Sequence, residues 1–183
     1  MKRLLTFTLL ILSLTALAQD IELMNNINTY RAYNNKPVLS WSKDAADIAK
    51  GQTSVIISQD SLSHSHLAPE IATMGTTLPA TQDSKDKFAE FLKSTFNIDY
   101  VDPKNDSDVI KMVKLYVIYM FDKSPKHKAI LLGEYKYVGF DLVIKDIKHK
   151  PNTLTINGKT IVFKNFSDYY KVMFYSVFDF KTL

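Results

Sequence analysis

Residues 121–139 read FDKSPKHKAILLGEYKYVG and place one histidine, His127, shortly after a serine and a proline. Pro125 suits the first turn of a helix, where a backbone N–H is not needed. Ser124 can cap this helix, so the stretch predicts a short helix with His127 on its first turn. The residues from Tyr135 to Ile144 are β-branched and aromatic, which predicts a strand. The stretch therefore marks the point where a helical part of the chain gives way to a sheet.

A second polar segment lies farther up the chain. Residues 61–72 read SLSHSHLAPEIA and contain His64, His66 and Glu70. Alternate positions of an extended chain point to opposite sides, so we expect only one of these two histidines to face a common site. A glutamate beside apolar residues favours a cationic or histidine partner if it is half-buried. The segments predict a His/Glu site that includes His127; the alternative is a set of solvated surface groups.

The first residues have the composition of an export signal. Two basic residues precede an apolar stretch, Leu4 to Leu17, which is shorter than the ~20 residues of a spanning helix. Ala16-Leu17-Ala18 forms a small-x-small cleavage site. We expect residues 1–18 to be a signal peptide and residues 19–183 to be one secreted domain, extracellular or periplasmic. A retained signal anchor is the alternative.

Composition limits the partners. The chain has 183 residues and a formal net charge of +4, with 23 basic and 19 acidic residues. Without the two basic residues of the signal segment the charge is +2, which is too balanced to indicate a nucleic-acid partner. There is no cysteine, so disulfides and lipid attachment at the cleavage site are excluded. We expect a monomer without a membrane span, held together by its core alone.

Hydrophobic spacing predicts helices first and a sheet last. Apolar periodicity predicts five helices, around residues 23–30, 43–58, 85–96, 107–120 and 124–132. Gln59 to Ser84 has weak periodicity and is expected to be irregular. Asn157-Gly158 predicts a hairpin with a type I′ turn, and residues 169–180 alternate as a last strand. The predicted class is α+β, with helices covering an antiparallel sheet.

Catalytic signatures are scarce. The chain has no H-E-x-x-H pattern, no G-x-S-x-G motif and no glycine-rich phosphate loop. Two histidines and one carboxylate do satisfy the protein ligand count of a catalytic zinc site. Trp41, the only tryptophan, is interpreted as a core anchor. Arg31 on the first helix is interpreted as a structural residue whose donor fork holds loops together.

These segments, in this order, resemble the CAP superfamily, also called the SCP-like extracellular or cysteine-rich secretory, antigen 5 and pathogenesis-related 1 family. The similarity is to its cysteine-free bacterial type and covers nearly all of the chain after the signal segment. The segments that carry it are NTYR at 28–31, PVLSWSKDAADIAKGQT at 37–53, SHS at 63–65, PEIA at 69–72, FDKSPKH at 121–127, YVGFDL at 137–142 and YKVMFYSVFDF at 170–180. The resemblance implies a three-layer α-β-α sandwich with a central antiparallel sheet.

The resemblance also implies a cleft with two histidines and two acidic residues. His64 fits the first histidine better than His66 does, and His127 fits the second. Glu70 fits the family glutamate, although its motif here reads Pro-Glu-Ile. These three residues are therefore the predicted cleft residues, and His64 and His127 are the predicted metal ligands.

The second family glutamate has no counterpart in this sequence. It usually precedes the last histidine on the long helix, which here offers Asp108 and Asp122 but no glutamate. Phe121 stands where a tryptophan is common. By resemblance, the set of four is thus reduced to three.

The resulting prediction is a secreted binding module whose cleft takes a small ligand, a lipid or a peptide, with zinc or another divalent cation as an optional cofactor. The alternative is a hydrolase that uses His64, Glu70 and His127 directly or through metal-bound water. A third interpretation is an interaction domain with a vestigial site. A hydrolase should bring a fourth polar group to the cleft, which would distinguish it from the other two.

Overall fold

The computed structural model describes residues 21–64, 69–150, 153–156, 159–162 and 169–182. The predicted signal peptide lies outside this part. The described residues form five helices and six strands, with these bounds: α1 21–33, β1 Ser40–Trp41, α2 Lys43–Gln59, β2 Glu70–Thr77, α3 Gln82–Phe96, α4 Asp106–Lys123, α5 Pro125–Leu131, β3 Tyr137–Lys150, β4 Thr153–Ile156, β5 Lys159–Val162 and β6 Tyr169–Lys181. Within the described ranges, no helix combines the length and the apolar character needed to cross a membrane.

The central sheet has four strands in the order β1-β3-β6-β2. Strands β3 and β6 form a long antiparallel ribbon, and β2 pairs antiparallel with the other side of β6. Only the two-residue β1 is parallel to its neighbour β3, so the sheet is antiparallel except at this edge. Strands β4 and β5 pair antiparallel, which confirms the predicted hairpin. Its predicted turn at Asn157-Gly158 lies outside the described residues.

Helices cover both faces of the central sheet. Helix α2 packs on one face, where Ala49 and Ile56 meet the small cluster around Tyr175 and Val177 of β6. The other helices contribute to the larger core on the opposite face, which includes Phe178. The alternation along β6 sends successive side chains to these two cores. The predicted three-layer α-β-α sandwich is confirmed.

Helix α2 packs closely against strand β3 at Gly139. The Ser42 side chain caps its start by accepting a hydrogen bond from the backbone N–H of Ala45 at 3.3 Å. Below its first turns lies Gly139 of β3, where an added Cβ would overlap the backbone of Ala45 and Ala46. A glycine at this position therefore sets the spacing between α2 and the sheet.

Strand β2 lies in the stretch that was expected to be irregular, so that expectation is wrong for residues 70–77. Its hydrophobic periodicity is weak because several of its core-facing residues are small. Gly75 is paired with Phe174, whose ring occupies the space that a side chain at Gly75 would need. The neighbouring strand thus supplies bulk that the β2 sequence itself lacks.

Trp41 is not a core anchor, because its side chain is 42% exposed. It belongs to the short edge strand β1, both residues of which are exposed. Its ring packs edge-on against Phe140, with 4.9 Å between the ring centroids. The buried apolar residue of this segment is instead Leu39.

Candidate functional site

The short helix α5 positions His127. Pro125 occupies its first helical position, as the sequence predicts. Ser124 is the N-cap residue, but its side chain makes no capping hydrogen bond; its carbonyl accepts from the backbone N–H of Lys128 at 2.8 Å. The half-buried imidazole of His127 packs edge-on against Phe121 at the end of α4, with 5.6 Å between centroids. The ring is therefore held between two helices.

His64 and Glu70 are in direct contact. Glu70 is the first residue of β2, and its side chain is 2% exposed, whereas that of His64 is 50% exposed. His64 Nδ1 lies 3.2 Å from Glu70 Oε1. The loop before His64 is fixed by Gln52 of α2, whose amide donates to the carbonyl and the hydroxyl oxygen of Ser63, both at 2.8 Å. Helix α2 thereby positions the loop that carries His64.

This contact selects a tautomer of His64. An ionised carboxylate can only accept hydrogen bonds, so the ring nitrogen that faces Glu70 must carry the proton. A neutral His64 is then protonated on Nδ1, and Nε2 keeps its lone pair. Glu70 is therefore a residue that orients His64 and leaves one nitrogen for a ligand or a proton.

His64 and His127 lie within electrostatic range of each other. Burial lowers the pKa of His127, and the positive charge of His64 lowers it further. The charge of His64 thus acts on the ring of His127. His66, the other histidine of the 61–72 segment, lies outside the described residues.

Comparison with known proteins identifies the family. The model of the cysteine-rich secretory protein family, CAP, matches residues 24–149, which is more than half of the chain. The chain belongs to the CAP family. No match was found among the curated proteins or among the solved structures. The family match ends within β3, so the last strand of this CAP protein lies beyond it.

Two histidines are the candidate metal donors among the described residues. Among the described residues, no group of three or more His, Asp or Glu side chains is arranged to hold a metal ion. His64 Nε2 and the ring of His127 are nitrogen donors of the kind that zinc uses. Two such donors are fewer than the three protein ligands of a typical catalytic zinc site.

Neither aspartate of the long helix supplies the missing acid. Asp108 accepts a hydrogen bond from the backbone N–H of Lys104 at the start of α4, about 21 Å along the helix from Asp122. Asp122 accepts from the Tyr30 hydroxyl at 2.8 Å and from Lys128 Nζ at 2.7 Å. It lines a cavity of about 250 Å³ to which none of the three predicted cleft residues contributes.

The structure instead places a different carboxyl group beside Glu70. Asp179 of β6 is directly opposite Glu70 in the sheet and is 0% exposed. Burial raises the pKa of Asp179 to about 6, and the charge of Glu70 contributes to the rise. The sequence analysis missed Asp179. It is the single acidic residue of β6, and its burial beside Tyr175 and Val177, on the same face, becomes visible only in the structure.

Proposed function

We propose that this CAP protein is a secreted binding module whose cleft, formed by His64, Glu70 and His127, takes a small lipid or peptide ligand and can hold a divalent cation. The contact between His64 and Glu70, with His127 in electrostatic range, is the observation that carries the proposal. Secretion is part of it and is supported by the apolar N-terminal stretch and by the family description.

The tautomer of neutral His64 and the lowered pKa of His127 favour a ligand that seeks nitrogen lone pairs. Glu70 directs the proton of a neutral His64 to Nδ1, so Nε2 remains a free donor atom. The lowered pKa of His127 keeps its ring neutral at physiological pH. Metal binding requires neutral imidazole, so the ring of His127 is ready for a cation without first losing a proton. When bound, such a cation would act as a Lewis acid.

Zinc titration by calorimetry tests the metal-binding part. We expect weak binding by the wild type, because only two protein nitrogens are in evidence. His127→Ala should abolish it, and so should His64→Ala, because each removes one of these two nitrogens. Both variants should still fold, since neither imidazole belongs to the core.

His149→Ala is the matched control, because His149 lies on an exposed part of β3 where its ring contacts Tyr170. Zinc binding should be unchanged in this variant and in His66→Ala. If His66→Ala loses the metal while His64→Ala keeps it, the assignment is wrong by two residues. If the wild type binds no zinc, the cleft is a ligand site without a metal.

A hydrolase is the second candidate, and Asp179 is the observation that favours it. A fourth polar group beside the cleft is the feature expected of such an enzyme, and Asp179 lies opposite Glu70. Because Asp179 is fully buried, it would act only through Glu70. In the described part of the 61–72 segment, no serine nucleophile is evident, and the Ser63 hydroxyl oxygen accepts a hydrogen bond from Gln52. The binding module is therefore the preferred function.

A further inference from the structure

We propose that the end of the β3–β6 ribbon beyond helix α2 binds a linear anionic polysaccharide through three lysines, Lys145, Lys148 and Lys171, which we call the lysine face. The small cluster under α2 reaches along β6 as far as Met173, and the lysine face begins there. The site is separate from the cleft. Of the proposed function, only secretion is used here, and only for the choice of partner.

A β-bulge in β3 brings two of these lysines to one side of the ribbon. The register shifts between Lys145 and Lys148, so that β3 contains one residue more than β6 at this point. Asp146, inside the bulge, has a left-handed backbone with a φ of 53°. Ile144 and Ile147 consequently both pack against the larger core on the other face. Regular alternation would have turned Lys148 toward that core, and the bulge directs it to the α2 side instead.

The strand register places two of the lysines directly opposite each other. Lys148 pairs with Lys171, and Lys145 pairs with Met173, the next residue on the same side of β6. Side chains in directly opposite positions have Cβ atoms about 5 Å apart, and the diagonal neighbour lies roughly 7 Å away. One small anion can neutralise the facing pair. The third lysine favours a ligand that carries more than one anionic group.

The lysine face is open to solvent and rich in unpaired positive charge. All three lysines are exposed, and within the described ranges none of them lies at ion-pair distance from a carboxylate. Two acidic residues of this side, Asp60 at the end of α2 and Asp146, lie within electrostatic range of the Tyr175 hydroxyl. Like charges directly opposite in a sheet are destabilising. The Lys148–Lys171 pair therefore costs stability that a bound polyanion would offset.

The side chains of this face favour a polysaccharide over a membrane or a nucleic acid. Membrane surfaces are bound by cations combined with apolar side chains, but the exposed large apolar residues of the described chain all lie outside β3 and β6. Single-stranded nucleic acids stack on exposed aromatic rings, and the described ring of this face, Tyr175, is buried. A net charge of +4 is small for binding duplex DNA. A polysaccharide with sulfate or carboxylate groups needs only the cations, and a secreted chain would meet it outside the cell.

Calorimetric titration with heparin, a sulfated polysaccharide, at several salt concentrations tests the lysine face. The wild type should bind, and the slope of log K against log salt should fall by about one unit for each lysine removed. Replacing all three lysines of the face by glutamine should weaken binding about tenfold or more, because each ammonium group that meets an anion contributes to the affinity.

The matched control replaces three other exposed lysines by glutamine and so removes the same charge elsewhere: Lys50, Lys104 and Lys111. Its affinity for heparin should stay close to that of the wild type. Equal losses in the two triple variants would overturn the proposal, because net charge alone would then explain the binding. Absence of heparin binding by the wild type would overturn it as well.

A single charge reversal separates loss of binding from loss of folding. Lys148→Glu turns the facing like charges into opposite charges, so its midpoint of urea denaturation should rise while heparin binding weakens. A midpoint that falls would contradict the facing of Lys148 and Lys171, and unchanged heparin binding would contradict the site. Equal or tighter binding of anionic phospholipid vesicles or duplex DNA at the same salt concentration would overturn the choice of a polysaccharide. Zinc titration of the cleft variants is a separate measurement, so the two proposals can fail independently.

Discussion

Arg31 shows how one residue joins distant parts of the chain. Its guanidinium is fully buried and donates to the carbonyl oxygens of Pro37 at 2.8 Å, Leu131 at 2.7 Å and Gly133 at 3.1 Å. It thereby ties the segment before β1 to the end of α5, the helix that carries His127. The structural role predicted for Arg31 agrees with these contacts.

Arg31→Lys should lower the free energy of unfolding by about 3 kcal/mol. A lysine keeps the charge but lacks the planar fork, so buried carbonyls lose their donors. Glu134→Gln is the control, because it removes only an exposed ion pair with Lys36, for which we expect less than about 1 kcal/mol. Urea denaturation measures both. Equal effects of the two variants would contradict the role assigned to the buried contacts.

The residues in and beside the cleft differ in how readily the sequence identifies them. His127 and Glu70 could be proposed from residue type, from the Ser-Pro helix start and from family motifs. Asp179 could not, because its burial depends on β6 lying between β2 and β3 with α2 packed above. Strand order is a property of long-range pairing, and local patterns do not contain it. A carboxylate in an alternating strand therefore looks like a solvent-facing residue until the fold is known.

At the scale of the secondary-structure elements, the packing of α2 on the sheet depends on one residue, Gly139. Gly139→Ala should destabilise the protein by about 3 kcal/mol, because the new Cβ would meet the α2 backbone and not a movable side chain. Gly51→Ala in α2 is the matched control, since nothing lies within 4 Å of the added Cβ. It should stabilise by about 0.5–1 kcal/mol through helix propensity. Thermal unfolding of the two variants checks the signs; a stabilised Gly139→Ala would show that α2 can shift.

Element prediction succeeded where a segment carries its own periodicity. Helix α2 was predicted from its Ser42 cap and its alanine face and ends within a residue of the expected position. Strand β2 was missed because Phe174 fills the space at Gly75. Trp41 was misjudged for a related reason, since burial of an aromatic residue depends on whether its strand lies at an edge.

At the scale of the whole molecule, the buried carboxyl group on β6 costs stability that an apolar residue would not. The larger core on the other face and the small cluster under α2 are built mainly from apolar residues. Asp179 interrupts the second of these beside the cleft. Buried polar groups that reduce stability are common at functional sites, where stabilising substitutions often reduce activity. The position of Asp179 fits this pattern.

The stability of the protein should therefore depend on pH through Asp179. Its folded-state pKa, about 6, exceeds the ordinary value of 3.8, so it contributes stability below pH 4 that is lost as the pH rises through 6. The lowered pKa of His127 acts in the opposite direction, because stability is lost as the pH falls through the ordinary pKa of a histidine.

The variant Asp179→Asn removes only the effect of Asp179. Relative to the wild type, its free energy of unfolding should increase by as much as about 3 kcal/mol between pH 4 and pH 8, at about 1.4 kcal/mol per pKa unit. Urea denaturation across this range measures the difference, in which the contribution of His127 cancels. A pH-independent difference for Asp179→Asn would mean that the pKa of Asp179 is not raised.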